Sequence, residues 1–85
     1  MSEYIVVPVG ERRELRDFLG LFVRNENQAF FMEEVCSFLG WQEEFAVRFL
    51  TSLEQQELVA VHRGVVKLTS RGQRALKEFY TRREL

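Results

Sequence analysis

The side chains that most often carry out chemistry are rare in this sequence, because histidine, cysteine and aspartate occur once each, as His62, Cys36 and Asp17. A zinc site needs several His or Cys ligands at short spacings, and a Ser-His-Asp triad needs a supporting motif around its members. Neither pattern is present. The adjacent acids Glu33 and Glu34 point in different directions on a helix, so they do not form a catalytic pair. We therefore predict a protein that is not an enzyme, with no catalytic residues, metal site or cofactor.

Charge is the remaining feature that could serve function, and it is distributed unevenly. The formal net charge is only −1. Residues 1–57 carry five Lys or Arg against eleven Asp or Glu, a balance of −6, whereas residues 58–85 carry seven against two, a balance of +5. This asymmetry says more about binding than the total charge does.

The size of the chain limits what can position these charges. Its 85 residues are enough for one domain with one small core, and an apolar content of 46% with eight Phe can fill that core. No run of about 18 apolar residues occurs, so we expect no segment in a membrane. A single cysteine fits a reducing cytosol, and we expect Cys36 to be a small buried hydrophobe in a cytoplasmic protein.

Apolar periodicity predicts three helices after the apolar segment "YIVVPV" at residues 4–9. Pro8 cannot donate a backbone hydrogen bond, so residues 1–10 are predicted to form an edge strand or an extended arm. The helical core is predicted to span residues 11–57, with a short strand "AFF" before the second helix. The apolar faces of the three helices are, in order, Leu15, Phe18, Leu19 and Phe22; then Val35, Phe38 and Leu39; then Phe45, Ala46, Phe49, Leu50 and Leu53.

The pattern changes at residues 58–69, where two β-rich runs flank "RG" and predict a hairpin with a two-residue turn. Thr69 is placed to cap a last helix over residues 70–85. That helix has Leu76, Phe79 and Tyr80 on one side. The prediction for residues 1–85 is therefore a single α+β domain.

This order of elements, with two motifs, resembles the winged helix-turn-helix domains of small MarR-like and PadR-like transcription regulators. The motifs are "FLTSLEQQELV", similar to a leucine-rich third helix with an "L-E-x-x-G-L-V" exit, and "GVVKLTSRGQRAL", similar to a wing followed by "L-T-x-x-G". The resemblance covers about residues 11–80 and implies a three-helix core, a β-hairpin wing, an extra N-terminal strand or arm and a C-terminal helix. Glu57 stands where the exit glycine is usual, so we expect a longer or differently capped third helix.

The resemblance implies a DNA-binding transcription regulator whose third helix enters the major groove of double-stranded DNA. The positions that would face the groove are Glu43, Glu44, Val47, Arg48 and Thr51. Only Arg48 supplies a cation, whereas a carboxylate about 4 Å from a phosphate costs roughly 1 kcal/mol in water and about 4 kcal/mol at a partly dehydrated interface. Glu43 or Glu44 could instead accept a hydrogen bond from cytosine, or simply favour the helix N-terminus.

The wing and the last helix form the second candidate surface. If DNA is bound, we expect Arg63 at the hairpin tip, Lys67 in its second strand, and Arg71 and Arg74 on the last helix to contact phosphates. The alternative is that these cations form an ordinary solvated surface that balances the acids of the first three helices.

A second function also fits these charges, namely a winged-helix protein-protein interaction module whose acidic third helix docks on a basic protein partner and does not bind DNA. Winged-helix regulators usually dimerise, so the resemblance also implies a homodimer, formed through Leu76, Phe79 and Tyr80 or through the N-terminal arm. Those three residues could equally pack on the first helix. Trp41 either closes the core between the second and third helices or is exposed for a partner.

Overall fold

The computed structural model describes residues 5–83, which form a mixed α+β fold of four α-helices and one three-stranded antiparallel sheet. The helices are α1 (Arg12–Gly20), α2 (Met32–Leu39), α3 (Glu43–Gln55) and α4 (Ser70–Arg83), and the strands are β1 (Ala29–Phe31), β2 (Val59–His62) and β3 (Val65–Leu68). The predicted helices, short strand and hairpin are confirmed by these bounds. The ends of the predicted arm and last helix, residues 1–4 and 84–85, lie outside the described residues. None of the described helices has the length and apolarity needed to cross a bilayer.

One core, formed by the apolar faces read from the sequence, holds the helices and the sheet together. Phe18, Phe22 and Phe49 are its largest fully buried side chains. Burying one such side chain contributes about 1.5–3 kcal/mol. The rings of Phe45 and Phe49 lie 4.9 Å and 5.1 Å from that of Trp41, which is half-buried and therefore closes the core between α2 and α3.

Two side chains of α2 differ from the expectation. Val35 is fully buried, but Phe38, expected on the same face, is 59% exposed, and Cys36 is only half-buried. The reason is the angle between successive side chains around a helix. Successive residues of a helix are about 100° apart, so Phe38 and Cys36 lie on opposite flanks of a stripe centred on Val35. An eight-residue helix has room for one such stripe against the core.

The sheet has β3 at its centre, in the order β1-β3-β2. Arg63 and Gly64 have φ angles of 51° and 77°, as the predicted two-residue turn of type I′ requires. The backbone N–H of Met32 donates to the carbonyl oxygen of Gly64 at 2.8 Å, so the tip of the hairpin is fixed to the start of α2. Lys67 stands on the sheet face that points away from the core, between Ala29 and Ala60 of the two neighbouring strands.

The end of α3 corrects the expectation of a longer or differently capped helix. The helix stops at Gln55, and Glu57 takes the left-handed conformation, φ 64°, that the usual glycine would adopt. The N–H of Leu58 donates to the Leu53 carbonyl at 3.0 Å and that of Glu57 to the Glu54 carbonyl at 2.9 Å, which together form a Schellman motif. The exit of α3 therefore has the geometry that a glycine favours, although the residue there is Glu57.

The start of α4 is joined directly to this exit. Thr69 caps α4 as predicted, since its Oγ1 accepts the Gly72 N–H at 3.0 Å, and the same hydroxyl donates to the Glu57 carbonyl at 2.6 Å. A Cβ on Gly72 would lie 2.0 Å from the carbonyl oxygen of Leu58. The glycine of "L-T-x-x-G" is thus explained by the close approach of two backbone segments.

In its described part the N-terminal segment is an arm and not an edge strand over residues 5–8, because these residues pair with no strand, and Val9–Glu11 form a 3-10 helix. Instead the side-chain amide of Gln56 accepts the Val6 N–H at 2.8 Å and donates to the Val6 carbonyl at 2.9 Å. Ile5 and Val7 lie half-buried against the core. The outer edge of β2 is already in use, since the Val61 N–H donates to the Glu54 carboxylate at 3.3 Å.

Candidate functional site

The outward side of α3 carries all four polar residues predicted on it for DNA contact, since Glu43, Glu44, Arg48 and Thr51 are exposed. The apolar positions of α3 are turned to the core, which leaves these polar positions outside. Glu43 and Glu44 occupy the first turn, where the helix dipole favours a carboxylate. Neither carboxylate forms an ion pair with any residue that the structure describes.

Arg48, the cation expected to reach the DNA groove, is bound within the chain. Its guanidinium donates to both carboxylate oxygens of Glu11, at 2.6 Å and 3.5 Å, and lies 5.0 Å from the centre of the Phe45 ring. An ion pair this exposed contributes only about 0–1 kcal/mol to stability. Its main effect is electrostatic, because Glu11 neutralises the one cation that α3 possesses.

The Cys36 thiol lies in the electrostatic field of the acids on α2 and α3. Burial raises the pKa of this thiol, and the carboxylates of Glu43 and Glu33 raise it further. Glu33 belongs to α2 and Glu43 to α3, so acids from two helices act on one region between them. We call the exposed residues Glu33, Glu43, Glu44 and Val47 the α2–α3 face. In the described part of the chain no three His, Cys, Asp or Glu residues are grouped to hold a metal ion.

The basic residues of the hairpin and α4 differ among themselves. Arg63 and Lys67 are exposed on the hairpin and form no ion pair with a described residue. Arg71 is exposed but pairs with Glu57 at 3.6 Å, and Arg74 also has a partner within the protein. On the same helix Lys77 lies 3.8 Å from Glu26. The fold therefore balances much of the charge that the sequence places in this region.

The cations of the hairpin and α4 stand on elements other than α3. Arg71 pairs with Glu57 beyond the C-terminal end of α3, and about 20 Å of helix separates that point from Glu43 at the N-terminal end. Arg63 precedes Gly64, whose carbonyl binds the start of α2, and the first turn of α2 is acidic. The predicted DNA-binding residues thus belong to three parts of the fold, which are α3, the hairpin and α4.

The residues expected at a dimer contact are largely occupied inside the chain. Leu76 is 5% exposed, and the Tyr80 hydroxyl donates to the Arg16 carbonyl at 3.3 Å. Phe79 is half-buried beside Tyr80, with 5.4 Å between the ring centres. These contacts agree with the alternative that the last helix packs on α1. Dimerisation itself stays a prediction.

Sequence reasoning missed several residues that shape the candidate site. Glu11 was not singled out, because its contact with Arg48 joins residues 37 positions apart. Phe31, which is 57% exposed, was read only as part of a strand. The exposure of Phe31 could have been predicted from strand geometry. Successive side chains of a strand point to opposite faces, so a buried Phe30 leaves Phe31 pointing outward.

Comparison of the chain with protein-family models, with curated proteins and with solved structures finds no match.

Proposed function

We propose that the domain is a winged helix that acts as a protein-protein interaction module, in which the α2–α3 face docks on a basic surface of a partner protein. The order of helices and strands supports the fold, because a hairpin follows the third helix and is closed by the short strand before α2. One observation supports the function most directly. The only cation of α2 and α3, Arg48, is neutralised by Glu11, while Glu33, Glu43 and Glu44 are exposed.

The magnitudes favour a basic protein over DNA at this face. A good bidentate base contact contributes about 1–3 kcal/mol of discrimination. A carboxylate near a phosphate costs a similar amount, about 1–4 kcal/mol, so the acids at the start of α3 would cancel the contacts that helix could make. Facing Lys or Arg of a protein, the same carboxylates attract the partner and speed its association.

The test compares charge reversal on the face with charge reversal elsewhere. The double variant Glu43→Lys/Glu44→Lys should lose a basic protein that the wild-type domain captures from a cell extract, as identified by mass spectrometry. Asp17→Lys is the matched control, because Asp17 is an exposed acid of α1 outside the face, and it should retain that protein. The wild-type domain should not bind mixed-sequence duplex DNA at low salt. Strong duplex binding that weakens steeply with salt would contradict the proposal.

A DNA-binding transcription regulator is the second candidate, favoured by the exposed and unpaired Arg63 and Lys67 of the hairpin among the described residues. In that function these two cations would contact phosphates together with Arg71 and Arg74. The residues of α3 that would face the groove are Arg48, Thr51, Glu43 and Glu44. Arg48 would first have to leave Glu11. Glu11→Gln should then increase affinity for duplex DNA, and Lys67→Ala should make the salt dependence less steep by about one phosphate contact.

A further inference from the structure

A groove lies between α4 and the loop of residues 21–28, which joins α1 to β1. Its volume is about 540 Å³. Sites that bind small molecules usually have volumes of about 300–1,000 Å³ and combine apolar surface with a few polar groups. The residues with accessible side chains in this groove are Val23, Arg24, Asn25, Asn27, Lys77 and Tyr80. We call the space between them the loop–α4 groove.

The loop is held against α4 by side-chain hydrogen bonds. The Gln73 amide of α4 donates to the Glu26 carbonyl at 3.2 Å and to the Asn27 Oδ1 at 3.0 Å. Within the loop the Asn25 Oδ1 accepts the Asn27 N–H at 3.0 Å, and the Asn25 carbonyl accepts the Gln28 N–H at 3.1 Å. The groove is thus formed before any ligand arrives, so binding requires little ordering of the loop.

The apolar surface of the groove comes from Val23 and Tyr80. Val23 is 55% exposed. The Tyr80 side chain is half-buried, and its hydroxyl donates to the Arg16 carbonyl at 3.3 Å, so the ring is left for an apolar contact. The buried Phe22 and Leu76 complete the apolar lining. The groove can therefore hold the apolar body of a small molecule.

The polar groups of the groove are donors in excess. The hydrogen bonds of the loop use the side-chain oxygens of Asn25 and Asn27, and neither side-chain nitrogen donates to an acceptor in the part of the chain that the structure describes. Arg24 is exposed and forms no ion pair with a described residue. Its guanidinium adds five N–H donors, so a complementary ligand supplies acceptor oxygens.

The charge of the groove suits a ligand with one negative charge. Three charged side chains line it, and two of them form a pair, with 3.8 Å between the Lys77 Nζ and the Glu26 carboxylate. The three together carry +1, and the unpaired charge is that of Arg24. A guanidinium binds a carboxylate through two parallel hydrogen bonds. A phosphate group would bring about −1.5 to −2 charges, which is more than the groove balances.

We propose that the loop–α4 groove binds a small organic acid, with the carboxylate on Arg24 and the apolar body against Val23 and the Tyr80 ring. The amide nitrogens of Asn25 and Asn27 supply further donors to the carboxylate. This site shares no residue with the α2–α3 face, so it does not depend on the proposed docking function.

The experiment titrates the full isotope-labelled chain with 2-naphthoate and follows its amide signals by NMR. The control ligand is 2-naphthamide, which has the same rings and no charge. The shifts should map to residues 22–27 and to the facing part of α4, and naphthoate should bind about tenfold more tightly than the amide, as a charge-assisted hydrogen bond requires. Equal affinities for the two ligands, or shifts confined to other parts of the chain, would overturn the proposal.

Matched variants locate the two halves of the ligand. Arg24→Gln should weaken naphthoate binding about tenfold, whereas Arg13→Gln, which changes an exposed cation of α1 outside the groove, should leave it unchanged. Val23→Ser should weaken binding about three- to tenfold. Val9→Ser, at a side chain that is 80% exposed outside the groove, should have no effect. Thermal unfolding of each variant checks folding, and an unchanged affinity in Arg24→Gln would refute the site.

Glu26→Gln provides a test of opposite sign. It removes the only acid that lines the groove and releases Lys77 from its pair, so naphthoate should bind about two- to fivefold more tightly. A side chain with a purely structural role would not improve binding when it is replaced. A lower affinity in Glu26→Gln would contradict the proposed charge balance.

The two proposals fail separately. Glu43→Lys/Glu44→Lys should bind naphthoate as the wild-type chain does, and Arg24→Gln should retain the basic protein captured by the α2–α3 face. Loss of naphthoate binding in the α3 double variant would place the acid outside the loop–α4 groove and overturn this inference, while the docking function would still be tested by the captured protein alone.

Discussion

The acids of α2 and α3 and the cations of α4 differ in what surrounds them. On α4, Arg71 and Lys77 lie within 4 Å of Glu57 and Glu26 respectively, and these acids come from the segments that α4 packs against. On the α2–α3 face the carboxylates meet no cation among the described residues, and two of them act together on Cys36. Charges of the first kind connect parts of the fold, whereas charges of the second kind remain available to a partner.

This difference changes the meaning of the charge balance along the chain. The two parts of the sequence carry −6 and +5, which suggests two opposed surfaces of similar strength. The contacts Arg71–Glu57 and Lys77–Glu26 remove equal charge from both parts, and the Arg48–Glu11 pair lies within the first part. The parts differ instead in position, because the exposed acids of α2 and α3 lie near one another around Cys36 and meet no cation among the described residues. Substitutions near the α3–α4 connection should then alter stability, and those on the α2–α3 face should alter reactivity and binding only.

The largest effect is expected from Gly72→Ala at the connection. The added Cβ would lie 2.0 Å from the Leu58 carbonyl oxygen, so one of the two backbone segments must move. We expect a loss of about 3 kcal/mol or more in unfolding free energy and a melting temperature lower by roughly 10 °C or more, measured by circular dichroism. Gly10→Ala is the control, because nothing lies within 4 Å of its added Cβ. Equal melting temperatures would show that the connection is not tightly packed.

A smaller loss of unfolding free energy is expected from Thr69→Val. This substitution keeps the shape of the side chain and removes its hydroxyl. That hydroxyl binds both the Gly72 N–H and the Glu57 carbonyl. Loss of an N-cap with a second hydrogen bond should cost about 1–2 kcal/mol in a urea titration. Thr69→Ser retains the hydroxyl and should be closer to wild type. If Val and Ser are equally stable, the hydroxyl does not join α3 to α4.

Glu57→Gly should stabilise the protein slightly. A residue with a Cβ pays about 1–2 kcal/mol in the left-handed region, while the exposed pair with Arg71 contributes about 0–1 kcal/mol. We expect a net gain of about 0.5–1 kcal/mol in unfolding free energy, measured by chemical denaturation. Glu57→Ala keeps the strain and loses the pair, so it should be no more stable than wild type. A destabilised glycine variant would mean that the ion pair outweighs the backbone strain.

The smallest effect is expected at the α2–α3 face, where a substitution should change the reactivity of the Cys36 thiol. Burial, then Glu43, then Glu33 raise the pKa of the Cys36 thiol, so little thiolate is present near neutral pH. Glu43→Gln removes one of these causes and should lower the pKa, which makes reaction with a disulfide reagent at pH 8 about two- to threefold faster. Stability should stay within about 0.5 kcal/mol.

The control for this reactivity is Asp17→Asn, an exposed acid of α1 that should not change the rate. Added salt should accelerate the wild-type reaction more than that of Glu43→Gln, because it screens the same charge. An unchanged rate in Glu43→Gln would refute the shared acidic field of α2 and α3.

Most of the fold could be predicted because its signals are local. Apolar side chains at helical spacing placed Phe18 and Phe49 in the core, "RG" placed the turn, and the short polar side chain of Thr69 marked the start of α4. Each signal acts over a few residues, which is the distance over which propensity and capping are decided.

The candidate site was less predictable because its chemistry depends on contacts between distant residues. The pairing of Arg48 with Glu11 and that of Arg71 with Glu57 both depend on how helices meet, and composition does not contain that information. The exposure of Phe38 was missed for a related reason. A spacing of three residues places a side chain within about 60° of the core, and only the neighbouring elements decide whether it is covered.

The Gln56 amide that binds both backbone groups of Val6 takes the place of a neighbouring strand. A ladder opens cooperatively over several residues, but a single side chain releases its partner by rotating about its own bonds. Amide hydrogen exchange should therefore be fast at Val6, through local opening, and slow at Val66 in the central strand, through global unfolding. We therefore expect residues 5–8 to open as a separate cooperative unit while the core beneath them remains folded.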